Sequence, residues 1–317
     1  MAQPSAKKKL EKHFKIYEQI YENPFILRSE IGENTGLSHR TVTRCLDEMS
    51  TVIYGPVICL KPALNYREYA YFLHVDNPLS KYEQLFGNSL VTAGLGRWSL
   101  SFTSEKLIDT SQLECKECIL KKVKGETFFS KVTTVDWDES MIKMHSMLHL
   151  PQEKSVLNEK IPLIPWQRWD WAFYRKFRNN VRAPVDPVLE ELGISRKWYR
   201  RWVSSLFDVA NVQPAFYPVG MDKYHIFDFL FRSDYQKSLV EILGMLPSTS
   251  LFFSMDEYVL ARLSILSNRE MQQLFTFIYK MKREGFFADV YFMTIAQSKE
   301  RIPKRVTIPF RKHWRPG

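Results

Sequence analysis

The sequence predicts an α+β chain built from two tandem copies of one unit, in which three helices precede a sheet of βαββαβ order. The first observation is an internal repeat. A shift of 157 residues lays Gly36-Leu37-Ser38 on Gly193-Ile194-Ser195, and the apolar positions Val42, Cys45, Leu46 and Met49 on Tyr199, Trp202, Val203 and Leu206. Without a gap, the same shift puts Phe72-Leu73 on Phe229-Leu230 and Leu85-Phe86-Gly87 on Ile242-Leu243-Gly244. The second observation is a change of periodicity inside each copy, from helical spacing to short strand-like runs, after Met49 and again after Phe207. The copies span roughly 8–137 and 165–298.

In the first copy Leu10, Phe14, Tyr17, Ile20 and Tyr21 recur at helical spacing, and Pro24 ends that helix. A short helix is expected from Arg28 to Asn34. Gly36 suits a left-handed C-terminal cap and Ser38 an N-cap, so a third helix runs to Met49. The second copy repeats this with Trp169 to Asn180, Pro184 to Leu192, and a third helix from the cap Ser195 to Phe207. Thr51 to Lys61 and Val209 to Val219 read as paired short strands, a wing beside each helix-turn-helix. An extended run follows (Glu68 to Val75; Tyr224 to Arg232), then a helix (Leu79 to Asn88; Tyr235 to Leu246). Two strands come next (Leu90 to Gly94 and Trp98 to Thr103; Ser250 to Ser254 and Tyr258 to Ile265). The second copy continues with the capping box Ser267-x-x-Glu270, the stripe Met271, Leu274, Ile278 and Met281, the stop Gly285 and a strand from Phe286 to Ile295. The matching helix and strand of the first copy are expected at Asp109 to Val123 and Thr127 to Trp137. This order is the split βαβ, or ferredoxin-like, arrangement. The expected organisation is therefore 8–62 and 167–219 as winged helix-turn-helix units and 63–137 and 220–298 as ferredoxin-like domains. Residues 138–166 form a connector and 299–317 a basic tail.

Composition narrows the function. Of 317 residues 45% are hydrophobic, which supports packed cores and excludes a disordered or fibrous chain. Four cysteines in this length make no disulfide framework, which points to a reducing cytoplasm. No run of about 18 apolar residues occurs, so neither a membrane span nor a signal core is expected. The net charge of +10 is local: residues 168–201 carry 9 basic and 4 acidic side chains and residues 299–317 carry 7 and 1, against 8 and 7 in residues 1–50. Local basicity is the footprint of a surface facing phosphate; a solvated helix face with a loose basic tail is the alternative.

The stretches Ile31-Gly-Glu-Asn-Thr-Gly-Leu-Ser-His-Arg-Thr-Val-Thr-Arg44 and Leu189-Glu-Glu-Leu-Gly-Ile-Ser-Arg-Lys-Trp-Tyr-Arg-Arg201, each followed by a sheet unit, resemble the Lrp/AsnC (feast/famine) transcription regulators of archaea and bacteria. Thr92-Ala-Gly-Leu-Gly-Arg-Trp-Ser-Leu100 is similar to that family's Gly-containing turn near its effector site, and Met255-Asp-Glu-Tyr-Val-Leu260 is a degraded version. The resemblance implies a winged helix-turn-helix plus ferredoxin-like unit doubled in one chain. It also implies an effector site around Gly94, Gly96, Arg97 and Asp256. The wing here lacks Arg-x-Gly, and the connector has no counterpart in the simple family.

In the second recognition helix Tyr199, Trp202, Val203 and Leu206 make the inward stripe, while Ser195, Arg196, Lys197, Arg200, Arg201 and Ser204 face outward. Early residues of such a helix meet base edges in the major groove, where Arg pairs with guanine, and flanking cations contact phosphate. The first helix offers Ser38, His39, Arg40, Thr41, Thr43 and Arg44 for the same task, but Asp47 and Glu48 weaken its field. A packing or dimerisation role is its alternative. The tail, with Arg301, Lys304, Arg305, Arg311, Lys312 and Arg315 among Phe310 and Trp314, suits either a DNA backbone or a solubilising end. Cys115-x-x-Cys118 is half a zinc site, and His145 and His149 stand at i, i+4. No Walker loop, GxGxxG, GxSxG or HExxH occurs.

The expectation is a sequence-specific, double-stranded-DNA-binding transcription regulator, not an enzyme, with no metal, cofactor or catalytic residue. Its partners would be DNA and a small-molecule effector, with self-association through the sheets or an internal pseudo-dimer. Two rivals stand beside it: a siroheme decarboxylase, which shares the helix-turn-helix plus ferredoxin-like plan, and a plasmid or viral replication initiator.

Overall fold

The computed structural model describes residues 4–85, 90–150, 152–157 and 160–300. These residues pack into two compact units: Met1–Cys59 with Pro165–Met221 in one, and Leu60–Ile164 with the chain from Asp222 in the other. Both segments expected as helix-turn-helix units therefore share one unit, and both expected as sheet domains share the other. The basic tail beyond residue 300 lies outside the described residues.

The first unit holds α1 (Pro4–Glu22), α2 (Arg28–Thr35), α3 (His39–Glu48) and β1 (Ile53–Leu60), together with α6 (Arg168–Phe177), α7 (Asp186–Leu192), α8 (Arg196–Val209) and β7 (Ala210–Phe216). Its two expected wing hairpins do not form. Each of the two expected wing segments contributes one strand, and β1 and β7 pair with each other in a two-stranded sheet. Each strand carries a proline, Pro56 and Pro214, and lacks one donor there; in a two-stranded ribbon both strands are edges, where proline is tolerated. The two halves interlock further. Ile58 N–H donates to Arg178 O at 2.7 Å, Val181 N–H to Pro56 O at 3.0 Å and Tyr217 N–H to Val52 O at 2.7 Å. Tyr17 of α1 stacks on Phe216 of β7, ring centroids 4.6 Å apart.

The second unit contains β2 (Glu68–Val75), α4 (Pro78–Gln84), β3 (Leu90–Gly96), β4 (Leu100–Ser104), β5 (Cys115–Lys124), β6 (Thr127–Phe129), α5 (Trp137–Met147), β8 (His225–Arg232), α9 (Gln236–Leu243), β9 (Leu251–Met255), β10 (Tyr258–Ile265), α10 (Asn268–Arg283) and β11 (Asp289–Glu300). The strands form one sheet in the order β5-β2-β4-β3-β11-β8-β10-β9-β6. The run β11-β8-β10-β9 is the ferredoxin-like order, and β5-β2-β4-β3 has the same strand order. The two runs join where β11 pairs antiparallel with β3.

In the first run the expected helix from Asp109 to Val123 is a correction. Asp109 caps only a short 3₁₀ turn, Thr110–Leu113, Glu114 takes a left-handed φ of 50°, and β5 begins at Cys115. The segment has no apolar stripe at helical spacing, and β2 offers it a full ladder of partners instead. The expected strand from Thr127 to Trp137 is likewise cut to Thr127–Phe129, because Asp136 caps α5 through Glu139 N–H at 2.9 Å. That helix occupies most of the first half of the segment expected only as a connector, and it inserts Met141 and Met144 into the core under α9 and α10.

The sheet closes on itself. Its first strand, β5, and its last, β6, are separated by only two residues, Gly125 and Glu126. Gly125 N–H donates to Ser254 O at 2.7 Å and Ser254 N–H to Glu126 O at 3.2 Å, so the chain leaves β2 at one end of the order and reaches β9 at the other. With β5 and β6 counted as one bent strand the nine strands make an eight-stranded barrel, a size whose interior side chains just fill. Here Ala70, Phe72, Trp98, Leu230, Phe253, Met255, Leu260 and Met293 fill it, while helices cover the outer face over Phe227, Phe229, Phe231 and Phe252.

Within the barrel, Arg262 and Asp228, 3% and 0% exposed, form a two-pronged ion pair at 2.7 and 2.8 Å. Arg262 also donates to Thr92 Oγ1 at 2.7 Å and Ser298 Oγ at 3.2 Å. Thr92 stands on β3 and the pair on β8 and β10, so the network ties the two runs of strands together.

Candidate nucleic-acid interface

Helix α8 is built to present its cations. Gly193, at φ 63°, makes the left-handed turn out of α7, and Ser195 stands extended at the N-cap. Tyr199, Trp202, Leu206 and Val209 turn inward; Val203, expected in that stripe, is half-buried. Beneath them Phe173 and Phe177 of α6 pack on Tyr199 and Trp202 with ring centroids 5.4–5.8 Å apart. Aromatic burial on one side and charge on the other fix the rotation of the helix. Trp171 joins this cluster through Trp166 and Tyr174, while Trp169 lies under Arg168.

Arg196, Lys197, Arg200, Arg201 and Ser204 are all exposed, but they are not equivalent. Arg196 is ion-paired with Asp186 at the start of α7, so its charge is compensated. Ser204 Oγ donates to Arg201 O at 2.7 Å and is tied to its own helix. Arg201 lies over the Trp198 ring, 5.4 Å from its centroid. Lys197 and Arg200 make no ion pair among the described residues.

Helix α3 follows the left-handed Gly36, φ 69°, and is capped by Ser38, whose Oγ accepts from Thr41 N–H at 3.2 Å. Val42, Cys45 and Leu46 are its buried face. His39 and Arg40 are exposed. Thr43 Oγ1 accepts from Arg28 at 3.3 Å, and Glu48 takes Lys9 at 2.8 Å and Arg44 at 3.9 Å. Lys9 holds the Glu48 carboxyl below the usual carboxylate range. Glu48 thus offsets the charge of Lys9 and part of that of Arg44, while Arg40 stays exposed.

The two three-helix segments of this unit are clamped to each other by Arg182, a residue with no expected role. Arg182, in the link between α6 and α7, donates to Pro24 O and Ile26 O at 2.9 Å each, filling carbonyls in the link between α1 and α2. Burial, and then the neighbouring Arg28, lower its pKa to about 10.

The expected effector residues each have a structural task. At Gly94 and Gly96 an added Cβ would stand 2.1 Å from Thr294 O and 2.2 Å from Phe292 O, so both glycines are there to let β11 approach. Arg97 grips Glu117 at 2.7 and 2.9 Å, which raises its own pKa and lowers that of Glu117. Asp256, at φ 51° in the β9–β10 turn, pairs with Lys122 at 3.1 Å. Among the described residues Arg97 and Asp256 share no partner. The barrel cavity beside Asp228, lined by Phe72, Ser101, Thr103 and Phe253, measures about 10 Å³, room for about one water.

Cys115 is half-buried and Cys118 exposed on β5; burial, and then Cys118, push the Cys115 thiol up. His145 packs edge-on against Phe277 of α10 instead of facing these thiols, and no metal-holding group of three His, Cys, Asp or Glu occurs among the described residues. No helix among those residues is long and apolar enough to cross a membrane.

A family model described as winged helix-turn-helix DNA-binding matches residues 9–50, the span of α1 to α3. No curated protein matches. Among solved structures the chain is similar to the siroheme decarboxylase NirDL in complex with an iron-uroporphyrin III analogue, at 11% identity and a TM-score of 0.42, over 90% of this chain and 92% of that one. That neighbour is an enzyme, and it overturns the expectation of a non-enzymatic protein; at this similarity it assigns no substrate and no residue here.

Proposed function

We propose that the chain is a sequence-specific, double-stranded-DNA-binding transcription regulator in which α8 is the main reader and α3 the weaker one. The observation that carries this is the outer face of α8: Lys197, Arg200 and Arg201 exposed together on a helix whose opposite face is held by four aromatic rings. The helix-turn-helix match over residues 9–50 supports the same reading for the first copy. With both copies clamped in one unit, the reading is of an internal pseudo-dimer with unequal halves, suited to an asymmetric site. Regulation by a small molecule remains part of the proposal, as does the duplication of an Lrp/AsnC-like unit. Because both ends of the sheet are consumed in closing the barrel, the expected species in sedimentation equilibrium is a single chain; a stable dimer would contradict that expectation.

The test is binding of the full chain to genomic DNA fragments across a salt series, with the Arg200→Ala/Arg201→Ala variant alongside. Each good Arg contact discriminates by ~1–3 kcal/mol, so a loss of roughly 100-fold is expected, with a shallower salt dependence. Unchanged affinity and slope would remove α8 as the reader. A purified chain that takes up a tetrapyrrole and shows no salt-dependent DNA affinity would overturn the proposal.

A further inference from the structure

Three arginines on the two recognition helices have neighbours of different chemistry. Asp186 grips Arg196, and Glu48, shared with Lys9, lies 3.9 Å from Arg44 Nε; in both cases the neighbour is a carboxylate that offsets the guanidinium charge. Arg201 is oriented by an aromatic ring. A ring face attracts a cation without neutralising it, and a stacked guanidinium keeps the N–H edge of its plane open to a two-oxygen or O/N acceptor. Trp198 and Arg201 are three residues apart on α8, the spacing at which side chains of one helix meet. The internal repeat makes the contrast direct: the same shift places Thr41 where Trp198 stands and Arg44 where Arg201 stands.

We infer that Trp198 is a positioning residue for Arg201, leaving its guanidinium without a counter-charge and pre-oriented for a planar, paired acceptor on DNA, either a backbone phosphate or the O6/N7 edge of guanine. The inference rests on the DNA-binding reading. On this inference α8 binds more strongly than α3: the first helix sets its arginine beside the Glu48 carboxylate, the second beside a neutral ring. Arg200, next to Arg201 and free of ion pairs among the described residues, supplies a second cation on the same face.

The experiment is fluorescence anisotropy of the full chain on a randomised-sequence duplex and on the duplex enriched from it by selection, over a salt series. The variants are Trp198→Ala, Trp198→Phe, Arg201→Ala and Trp198→Ala/Arg201→Ala, with thermal melting as the control for folding. Arg201→Ala is expected to weaken binding by ~10-fold or more. Trp198→Ala should weaken it by about three- to fivefold, the scale of an exposed cation–π contact. The double variant should be no weaker than Arg201→Ala alone, and Trp198→Phe should recover most of the loss. A phosphate acceptor shows as a salt slope lower by about 0.9 in Arg201→Ala. A guanine acceptor leaves the slope unchanged and relaxes the preference at one G·C pair. If the wild-type chain binds duplex and Trp198→Ala binds equally well, or if the two single losses add, the positioning role is wrong. If the wild-type chain binds no duplex, the DNA-binding reading itself fails, and with it this inference.

Discussion

Replacing Asp228 with alanine is expected to destabilise the sheet unit by about 3–5 kcal/mol, the cost of leaving a buried charge without its partner. Arg262 is 3% exposed, and Asp228 supplies both of its close carboxylate contacts at 2.7 and 2.8 Å. Thr92 Oγ1 at 2.7 Å and Ser298 Oγ at 3.2 Å satisfy donors but bring no charge. Urea unfolding of wild type and Asp228→Ala reads the loss directly. The double replacement Asp228→Leu/Arg262→Met should return most of it, since a buried ion pair contributes little net stability over apolar residues of similar size. A single variant within about 1 kcal/mol of wild type would mean that water reaches the pair, and the barrel interior would not be closed as described.

Lowering the pH from 6.5 to 4 is expected to cost the helix-turn-helix unit about 3 kcal/mol through one residue, His13. His13 is 4% exposed against α3, and its pKa falls from 6.5 to about 4. Burial is the main cause; Lys9 adds to it, and Glu48, 3.9 Å from Nε2, opposes it. The sign follows from proton uptake. Above pH 6.5 the ring is neutral in both states and contributes no pH dependence. Between 6.5 and 4 only the unfolded chain binds the proton, so stability drops as pH falls. Glu48 titrates in the same direction, because its carboxyl is lowered by Lys9 in the folded state. The measurement is therefore the difference in urea midpoint between wild type and His13→Leu at pH 7 and at pH 4.5. A difference that does not change with pH would show that His13 takes up its proton in the folded protein.

Much of this architecture was written in local patterns. Gly36 and Gly193 both adopt the left-handed φ that a turn between helices requires, and Ser38 caps α3 as its position before an apolar-periodic run implied. The strand Tyr258–Ile265 and the helix after Ser267 stand where alternation and the capping box put them. The outward face of α8 was legible because its stripe and its cations occupy different sides of one helix. One signal was present and not used: Asp228 within Phe227–Phe231 and Arg262 within Leu260–Ile265 are lone charges in otherwise apolar or small-residue strands, and such charges are buried only when paired.

What the sequence by itself determined is local: where helices start and stop, which face of each is apolar, and where positive charge gathers. These depend on residues a few positions apart, whose spacing sets the helix face, the cap and the turn. Tertiary structure decided every long-range partner. Cys115–Lys124 became a strand and not a helix because β2 supplied a ladder to join, and β1 paired with β7 because each lacked a hairpin of its own. Two residues, Gly125 and Glu126, turned an open sheet into a closed barrel. Tertiary contacts also ranked the cations. Arg196 and Arg201 look alike in the sequence, and only packing gives the first a carboxylate and the second a ring. Backbone pairing and charge compensation are set by groups far apart along the chain, and local spacing carries no record of which of them will meet.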